Sequence, residues 1–370
     1  MKKDVVIQWI KSEIILIVAA IAAIISSFFV PLSIEYINYI DIRTLSLLFC
    51  LMIIIAGIQK CGVFESLAQT LLSGNRSLRI LQIILIIAPF FAAMLITNDV
   101  ALITFVPFTI SILQMAKEEK RIIPVLVLQT IAANLGSMAT PIGNPQNIYL
   151  CGFFKLDMMK FFVTMIPISL LSLIILGVFS ILCKNRNIQI HFPEKLLISN
   201  KMELEVLLGL FILCLLTVFH VLPHLVLLFI VVGVIFFLDR ELFKRVDYIL
   251  LLTFVFFFIF AGNMSNLDSV RNVLQSWMEK DALMTSVLAS QIFSNVPAAI
   301  LLSNFTENAH DLLLGVNIGG LGTPIASLAS LITIKFYLRS THCKSKTFFL
   351  YFTILNFFIL LILFLFVKFI

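Results

Sequence analysis

Residues Ala133 to Asn147 read ANLGSMATPIGNPQN, a polar, glycine- and proline-containing interruption in sequence that is otherwise almost continuously apolar. From Asn134 to Asn144 this stretch aligns without a gap with Asn317 to Ser327, NIGGLGTPIAS, with five identities in eleven positions. Four of the five are Asn, Gly, Thr and Pro, types that an apolar composition does not favour. A second kind of polar break precedes each copy: Thr97-Asn98-Asp99 before the first and Ser294-Asn295 before the second. The chain therefore reads as an internal repeat whose polar breaks recur in the same order.

The surrounding composition excludes a soluble globular domain: 61% of the residues are hydrophobic, 12% are charged, and the mean hydropathy is +1.11. Apolar runs of about 20 residues, enough for a hydrocarbon core ~30 Å thick, fill most of the length. An all-α polytopic membrane protein in a lipid bilayer follows. A transmembrane barrel is set aside, because its strands would alternate apolar and polar residues. The net charge of +6 is read as a topology signal, and no nucleic-acid partner is expected. Lys11, Glu13 and the missing small-residue cleavage site point to a retained first span in place of a signal peptide. Six cysteines without metal-ligand or redox spacing are expected to fill space. No metal site, catalytic residue or cofactor is expected, apart from a bound sodium ion or proton. No phosphate-binding glycine loop, zinc-protease helix or nucleophile elbow is present, so the chain is not read as an enzyme.

Outward from the central stretch, about nine full spans are expected, together with two re-entrant hairpins and two broken helices. A short amphipathic helix at Val63 to Leu72 precedes two apolar arms, Ile80 to Ile96 and Val100 to Met115, joined at Thr97 to Asp99. Two ordinary spans and a hairpin with a buried tip both fit these arms. The polar connection after Leu182 separates the halves: repeat one about 13–182, a linker with the fifth span 183–221, and repeat two about 222–370, all within one integral membrane domain. With a cytoplasmic N-terminus and both hairpins returning to their own side, 20 of the 26 Lys and Arg fall inside. The exceptions are Arg43, Lys155, Lys160, Arg271, Lys280 and Lys368, and the C-terminus lies outside. The unpaired fifth span makes the repeats opposite in orientation, the pattern of secondary transporters with a midplane site.

The chemistry of the breaks follows from hydrogen bonding. Backbone groups released from a helix cannot face lipid, so irregular backbone near Gly136 to Pro145 and Gly319 to Ser327 must be buried or line a wet cavity. Pro141, Pro145 and Pro324 end the helices; Gly143 and its fellow glycines permit tight turns and close approach. Half-helix N-terminal ends suit an anion, and C-terminal carbonyls suit a cation. At the tips, Thr97, Asn98, Ser294 and Asn295 serve either as helix caps or as ligand contacts. Asp99 is the one acid of 20 placed deep in an apolar region, where it is either a cap or a carrier of protons or sodium. Val296 stands at the matching place in the second copy.

The order TNDVALITFVP, NLGSMATPIGNPQN, SNVPAAILL, NIGGLGTPIASLASLI resembles the ion transporter superfamily, in its arsenite permease-like and citrate transporter-like branch. It is close to a group of bacterial inner-membrane transporters. The resemblance covers about Leu45 to the C-terminus. It implies an inverted-repeat fold with two re-entrant hairpins, each facing a broken helix, elevator-like movement, and a homodimer formed through a scaffold domain. Carried over by position, Asn98 and Asn295 fall on tip asparagines that contact ions and substrate. Thr140, Asn144, Thr323 and Ser327 fall on the broken-helix turns. Sodium-coupled dicarboxylate carriers have Ser-Asn-Thr at both tips, whereas this chain has Thr-Asn-Asp and Ser-Asn-Val, which favours proton involvement.

The resulting expectation is a secondary active transporter in a bacterial cytoplasmic membrane, moving a small anion or weak acid with protons or sodium, as symporter or antiporter. Its substrate and ion site is expected at Thr97, Asn98, Asp99, Asn134, Thr140, Pro141, Gly143, Asn144, Ser294, Asn295, Asn317, Thr323, Pro324 and Ser327, with Asp99 carrying the coupling. The alternatives are a sodium/proton antiporter of the same superfamily and, more remotely, an ion channel.

Overall fold

A computed structural model describes residues 13–369 except 32, 73, 183–186, 191–197 and 341–342. The described chain is almost entirely helical, as its apolar runs require in a medium where each backbone group must find an internal partner. The first half comprises α1 (Ile14–Ser27), the single turn α2 (Tyr36–Tyr39), α3 (Ile42–Lys60), α4 (Val63–Leu72), α5 (Leu78–Ile96), α6 (Asn98–Met115), α7 (Ile122–Ser137), α8 (Pro145–Phe153) and α9 (Met158–Ile181). The second half comprises α10 (Lys201–Val218), α11 (His224–Leu238), α12 (Tyr248–Ser265), α13 (Asp268–Phe293), α14 (Asn295–Leu302), α15 (Ala309–Ile318), α16 (Leu328–Leu338) and α17 (Ser345–Phe369).

Six of these, α3, α5, α6, α9, α12 and α17, are long and apolar enough to cross a membrane; α1, α11, α14 and α16 are apolar but shorter. Helix starts follow local capping chemistry. Asp41 accepts from the Thr44 amide at the start of α3, Asp157 from Met159 and Lys160 at α9, and Asn200 from Glu203 at α10. The amphipathic helix expected at Val63 to Leu72 is present with those limits as α4. A small antiparallel ribbon not expected from the sequence, β1 (Gly74–Ser77) with β2 (Asn187–Ile190), ties the connection between the halves back to the start of α5.

Two features position the site. α5 and α6 form a hairpin that turns at the single residue Thr97, while α13 and α14 form another that turns at Ser294. α13 is one amphipathic helix and one hairpin arm joined at Asp281, whose backbone leaves helical geometry there. The first hairpin is buried against α7. Arg121, beside the start of α7, donates to Gln82 in the second turn of α5, so the entry of the hairpin and the start of α7 share one level. Asn98, at the tip, donates to Asn134, roughly 18 Å further along α7 at 1.5 Å per residue. The tip therefore lies beside the C-terminal half of α7, next to the first break. The close packing needs Gly136, where a Cβ would stand 2.0 Å from the Phe90 carbonyl oxygen of α5. Within the hairpin layer, Gln129 of α7 donates to the Leu85 carbonyl and to Thr109, giving both of these oxygens a partner.

Candidate functional site

Both helix breaks expected from sequence are present, at 138–144 between α7 and α8 and at 319–327 between α15 and α16. Each is held to its own hairpin by the same bond. Thr140 Oγ1 donates to the carbonyl of Met94, and Thr323 Oγ1 donates to the carbonyl of Gln291 at 3.2 Å. Met94 and Gln291 are each three residues before a tip, so the aligned threonines make aligned contacts. The tips match as well: Thr97 has φ 71 and ψ 154, and Ser294 has φ 73 and ψ 155. Few residues other than glycine adopt this region, and holding one there costs about 1–3 kcal/mol. Neither tip residue caps the returning helix through its side chain. Instead Asn98 Oδ1 accepts from the Asp99 amide at 3.0 Å and Asn295 Oδ1 accepts from the Val296 amide at 2.9 Å.

The breaks also grip each other. Asn134, before the first break, accepts from Ser327 Oγ at 3.0 Å and donates to Ser330 at 3.4 Å, at the start of α16. Asn317, before the second, donates to Asn147 at 2.7 Å and accepts from Gln146 at 3.4 Å, at the start of α8. In the alignment Asn134 pairs with Asn317 and Asn147 with Ser330, so the contact Asn134–Ser330 is answered by Asn317–Asn147. Exchanged pairs of this kind are what a two-fold relation produces.

Between the two tips and the starts of α8 and α16 lies a cavity of about 20 Å3, lined by Asn98, Asp99, Asn144, Gln146, Asn295 and Ser327 among others. Leu250 and Phe254, from the first two turns of α12, close it on one side. Asn144 and Ser327 occupy the N-cap positions of α8 and α16 in nearly equal extended conformations, and neither side chain caps its helix. Two half-helix N-termini with partial positive charge therefore meet here. Three oxygens with no described hydrogen-bond partner meet in the same place: Asp99 Oδ1, Asn144 Oδ1 and Gln146 Oε1, all buried. Leaving such an acceptor unmade costs about 1–3 kcal/mol, so the cluster suits a cation or a proton. Among the described residues, no three His, Cys, Asp or Glu side chains come together as a metal set.

Of the residues expected from sequence, Asn98, Asp99, Asn144, Asn295 and Ser327 line this cavity. Asn134 and Asn317 stand behind it as cross-links. Thr97 and Ser294 supply backbone conformation. Thr140 and Thr323 direct their hydroxyls to hairpin carbonyls, while Pro141, Gly143 and Pro324 shape the turns and do not border the cavity. Four polar residues were not singled out from sequence: Gln146 and Asn147 at the start of α8, Ser330 in α16, and Gln291. Gln291 clamps the second break, donating to the carbonyls of Gly319 and Leu321 at 2.8 and 2.9 Å and accepting from the Thr323 amide at 2.8 Å. Gly322, at φ +107, is the residue over which this clamp folds. Gln146 and Asn147 were within reach of the sequence reading, since PQN closes the quoted stretch. Gln291 carried no such signal, because its partner lies about 30 residues away.

With this geometry in view, comparison with known proteins identifies the relatives. Residues 5–315 match the family described as Citrate transporter. The chain belongs to the citrate transporter family. It is 32% identical over 307 residues to an uncharacterised transporter of Methanocaldococcus jannaschii, covering 81% of this chain and 82% of that protein. It is 31% identical over 317 residues to the inner membrane protein YbiR of Escherichia coli, covering 84% of each. A shorter similarity, 31% over 132 residues, reaches the silicon efflux transporter of Oryza sativa, covering 35% of this chain and 27% of that one. This protein is accordingly an integral membrane transporter of a transporter family, not of an enzyme family, and carries a small solute across a lipid bilayer.

Proposed function

We propose that the chain is a secondary active transporter that moves a small anion together with, or in exchange for, a proton or sodium ion, with Asp99 binding the coupling cation. The observation that carries this reading is the meeting, in one cavity, of an unpartnered buried carboxylate oxygen with two uncapped half-helix N-termini. A carboxylate at membrane depth is costly unless function retains it. The helix ends would hold the anion and the Asp99–Asn144–Gln146 oxygens the cation. The answered contacts across the breaks support repeats of opposite orientation, and the charge bias supports a cytoplasmic N-terminus and an outer C-terminus. The name of the Escherichia coli relative supports the inner membrane as location, and the superfamily resemblance supports a homodimer. The substrate names of the relatives differ, citrate for the family and silicon for the rice protein, so the anion is proposed by charge class only.

A second reading is favoured by the size of the cavity. At about 20 Å3 it has room for roughly one water-sized group. An ion fits there without rearrangement and citrate does not, as a sodium/proton antiporter would require.

Both readings are tested in proteoliposomes loaded with a pH-sensitive dye and supplied with labelled citrate under imposed sodium or proton gradients. Gradient-dependent citrate accumulation supports the first; sodium-driven proton flux without any anion supports the second. In either case Asp99→Asn is expected to reduce gradient-driven flux about 100-fold, equivalent to about 2.7 kcal/mol. A variant that keeps both flux and gradient dependence would remove Asp99 from the mechanism.

A further inference from the structure

A much larger cavity, about 460 Å3, lies one to two helical turns from the central one along the same three helices. α8 contributes Gln146 to the small cavity and Tyr149 and Gly152 to the large one. α12 contributes Phe254 to the first and Phe258 and Ser265 to the second. α14 contributes Val296 to the first and Ile300 to the second. Tyr149, Phe258 and Phe254, all buried, stand between them, with ring centroids 5.6 Å apart for Tyr149–Phe258 and 6.2 Å for Phe254–Phe258. Tyr149 is fixed in this partition by its hydroxyl bond to Ser303 at 2.8 Å.

The large cavity holds a cation in an unusual state. Arg43, half-buried in the first turn of α3, lines it, and the ion pairs among the described residues do not include Arg43. Asp41 borders the same space, but its two oxygens accept from the amide and hydroxyl of Thr44 at 3.1 and 2.6 Å. The side-chain contact of Arg43 is to His220, where Nη2 lies 3.4 Å from Nε2. That nitrogen accepts only when it carries no proton. Burial first, then the charges of Arg43 and Lys155, hold the His220 imidazole below its ordinary pKa. The guanidinium thus has a neutral neighbour in His220, and the negative charge that acts on it, Asp41, attracts it without forming an ion pair with it. Its place is also kept open by Gly152, where a Cβ would stand 3.0 Å from Nη1.

Arg43 and Lys155 are two of the six basic residues that depart from the positive-inside bias of the chain. A third, Lys368, is neutralised by Asp281 at 2.6 Å. One of these departures, Arg43, thus lines a cavity of ligand size without an ion-paired partner among the described residues, and a second, Lys155, acts on the His220 that Arg43 touches.

We infer that this cavity is an anion-binding vestibule, in which Arg43 takes a carboxylate or oxyanion before it passes the Tyr149–Phe258–Phe254 partition. The inference rests on the reading that the transported solute is an anion. The same chemistry would also bind the phosphate of a lipid headgroup. Arg43 acts there as a point of capture with a forked set of donors.

The test reads the vestibule directly. Ser265→Cys is introduced in a background with Cys183→Ser and Cys343→Ser, and the full chain is reconstituted in phosphatidylcholine vesicles. It is labelled with a sulfonate-bearing or a trimethylammonium-bearing thiosulfonate, each rate being corrected by that of a free thiol. The anionic reagent is expected to react about ten-fold faster at low salt, the bias a nearby unscreened charge produces. Arg43→Gln is expected to bring the ratio to about one, and Arg43→Lys to retain most of it. Millimolar citrate is expected to slow the anionic reagent in the parent but not in Arg43→Gln. A ratio unchanged by Arg43→Gln overturns the inference. Repeating the parent in vesicles with phosphatidylglycerol separates the two sources: slowing there, without an effect of citrate, assigns the site to lipid and overturns capture of a solute. Citrate uptake measured on the same vesicles stands apart, because its absence would refute transport of this anion and leave the labelling ratio intact.

Discussion

The two hairpin tips have the same backbone and different chemistry. Thr97 and Ser294 agree in φ to 71 and 73 and in ψ to 154 and 155, and each tip is followed by an asparagine bonded in the same manner. The next residue is Asp99 in one copy and Val296 in the other. The supports differ too. The second break is clamped by its hairpin, through Gln291, whereas the first is clamped from the helix that follows it, where Asn147 donates to the carbonyls of Met138 and Thr140 at 3.5 and 3.0 Å. Met94 stands where Gln291 would be. The second hairpin and its break are therefore bonded as one body. Among the described hydrogen bonds, the first hairpin is held to its break by Thr140 and, just before the break, by the Asn98–Asn134 contact, and it carries the acid. The two copies share a frame, and they differ in the acid and in the clamps.

The strongest way to break this comparison is to move the acid across it. Asp99→Val is expected to reduce gradient-driven transport about 100-fold, and Val296→Asp added to it is expected to restore less than a tenth of the loss, because Asn144 and Gln146 offer their free oxygens from the first copy. Counterflow in proteoliposomes measures both. Full restoration would mean that the cavity responds to the number of charges and not to their place.

How far the site was legible in the sequence follows from the same contrast. The breaks, tips and amphipathic α4 could be read because Gly, Pro, Asn and Thr stand out against an apolar background and recur at fixed offsets. The place of Asp99 beside a break was legible for the same reason. The clamp at Gln291 was not, since a glutamine near the end of a polar-flanked helix looks like any surface residue until its partners are placed beside it. Nor was the ribbon of Gly74–Ser77 with Asn187–Ile190, where neither strand shows apolar alternation and pairing depends on contacts more than 100 residues apart. Arg43 was visible only as a departure from a charge rule, with no indication that it faced a cavity. Composition reports what a residue costs in a membrane; the groups that offset the cost are a property of the fold.

A smaller effect sharpens the difference in support. Gln291→Met copies the first hairpin into the second and leaves two buried carbonyls and one amide without their partner. At about 1 kcal/mol or more for each, the loss should be about 3 kcal/mol. It should appear as a lowered Tm of the detergent-solubilised protein, whereas Met94→Leu should be nearly neutral. An unchanged Tm in Gln291→Met would show that the second break is held by other contacts and that the two hairpins are supported alike.

The smallest effect tests the feature the tips share. Both residues hold a conformation that disfavours any side chain, so Thr97→Gly and Ser294→Gly should each relieve part of a strain of about 1–3 kcal/mol. Glycine also adds freedom to the unfolded chain, which removes about 0.5–1 kcal/mol of that gain. The Ser294 hydroxyl makes two long contacts, to Ala326 O at 3.3 Å and Asn295 Oδ1 at 3.4 Å, that glycine would lose. Thr97 makes no side-chain cap bond that glycine would lose. Thr97→Gly should therefore raise Tm slightly and Ser294→Gly should leave it near the parent value. If both variants fell in Tm, the side chains at the tips would be holding the turn in place, and the strain would be a consequence of that hold and not a separate cost. If both rose equally, the long contacts of Ser294 would contribute nothing, and the tips would be equivalent in energy as well as in shape, confining the asymmetry of the site to Asp99 and to the clamps behind it.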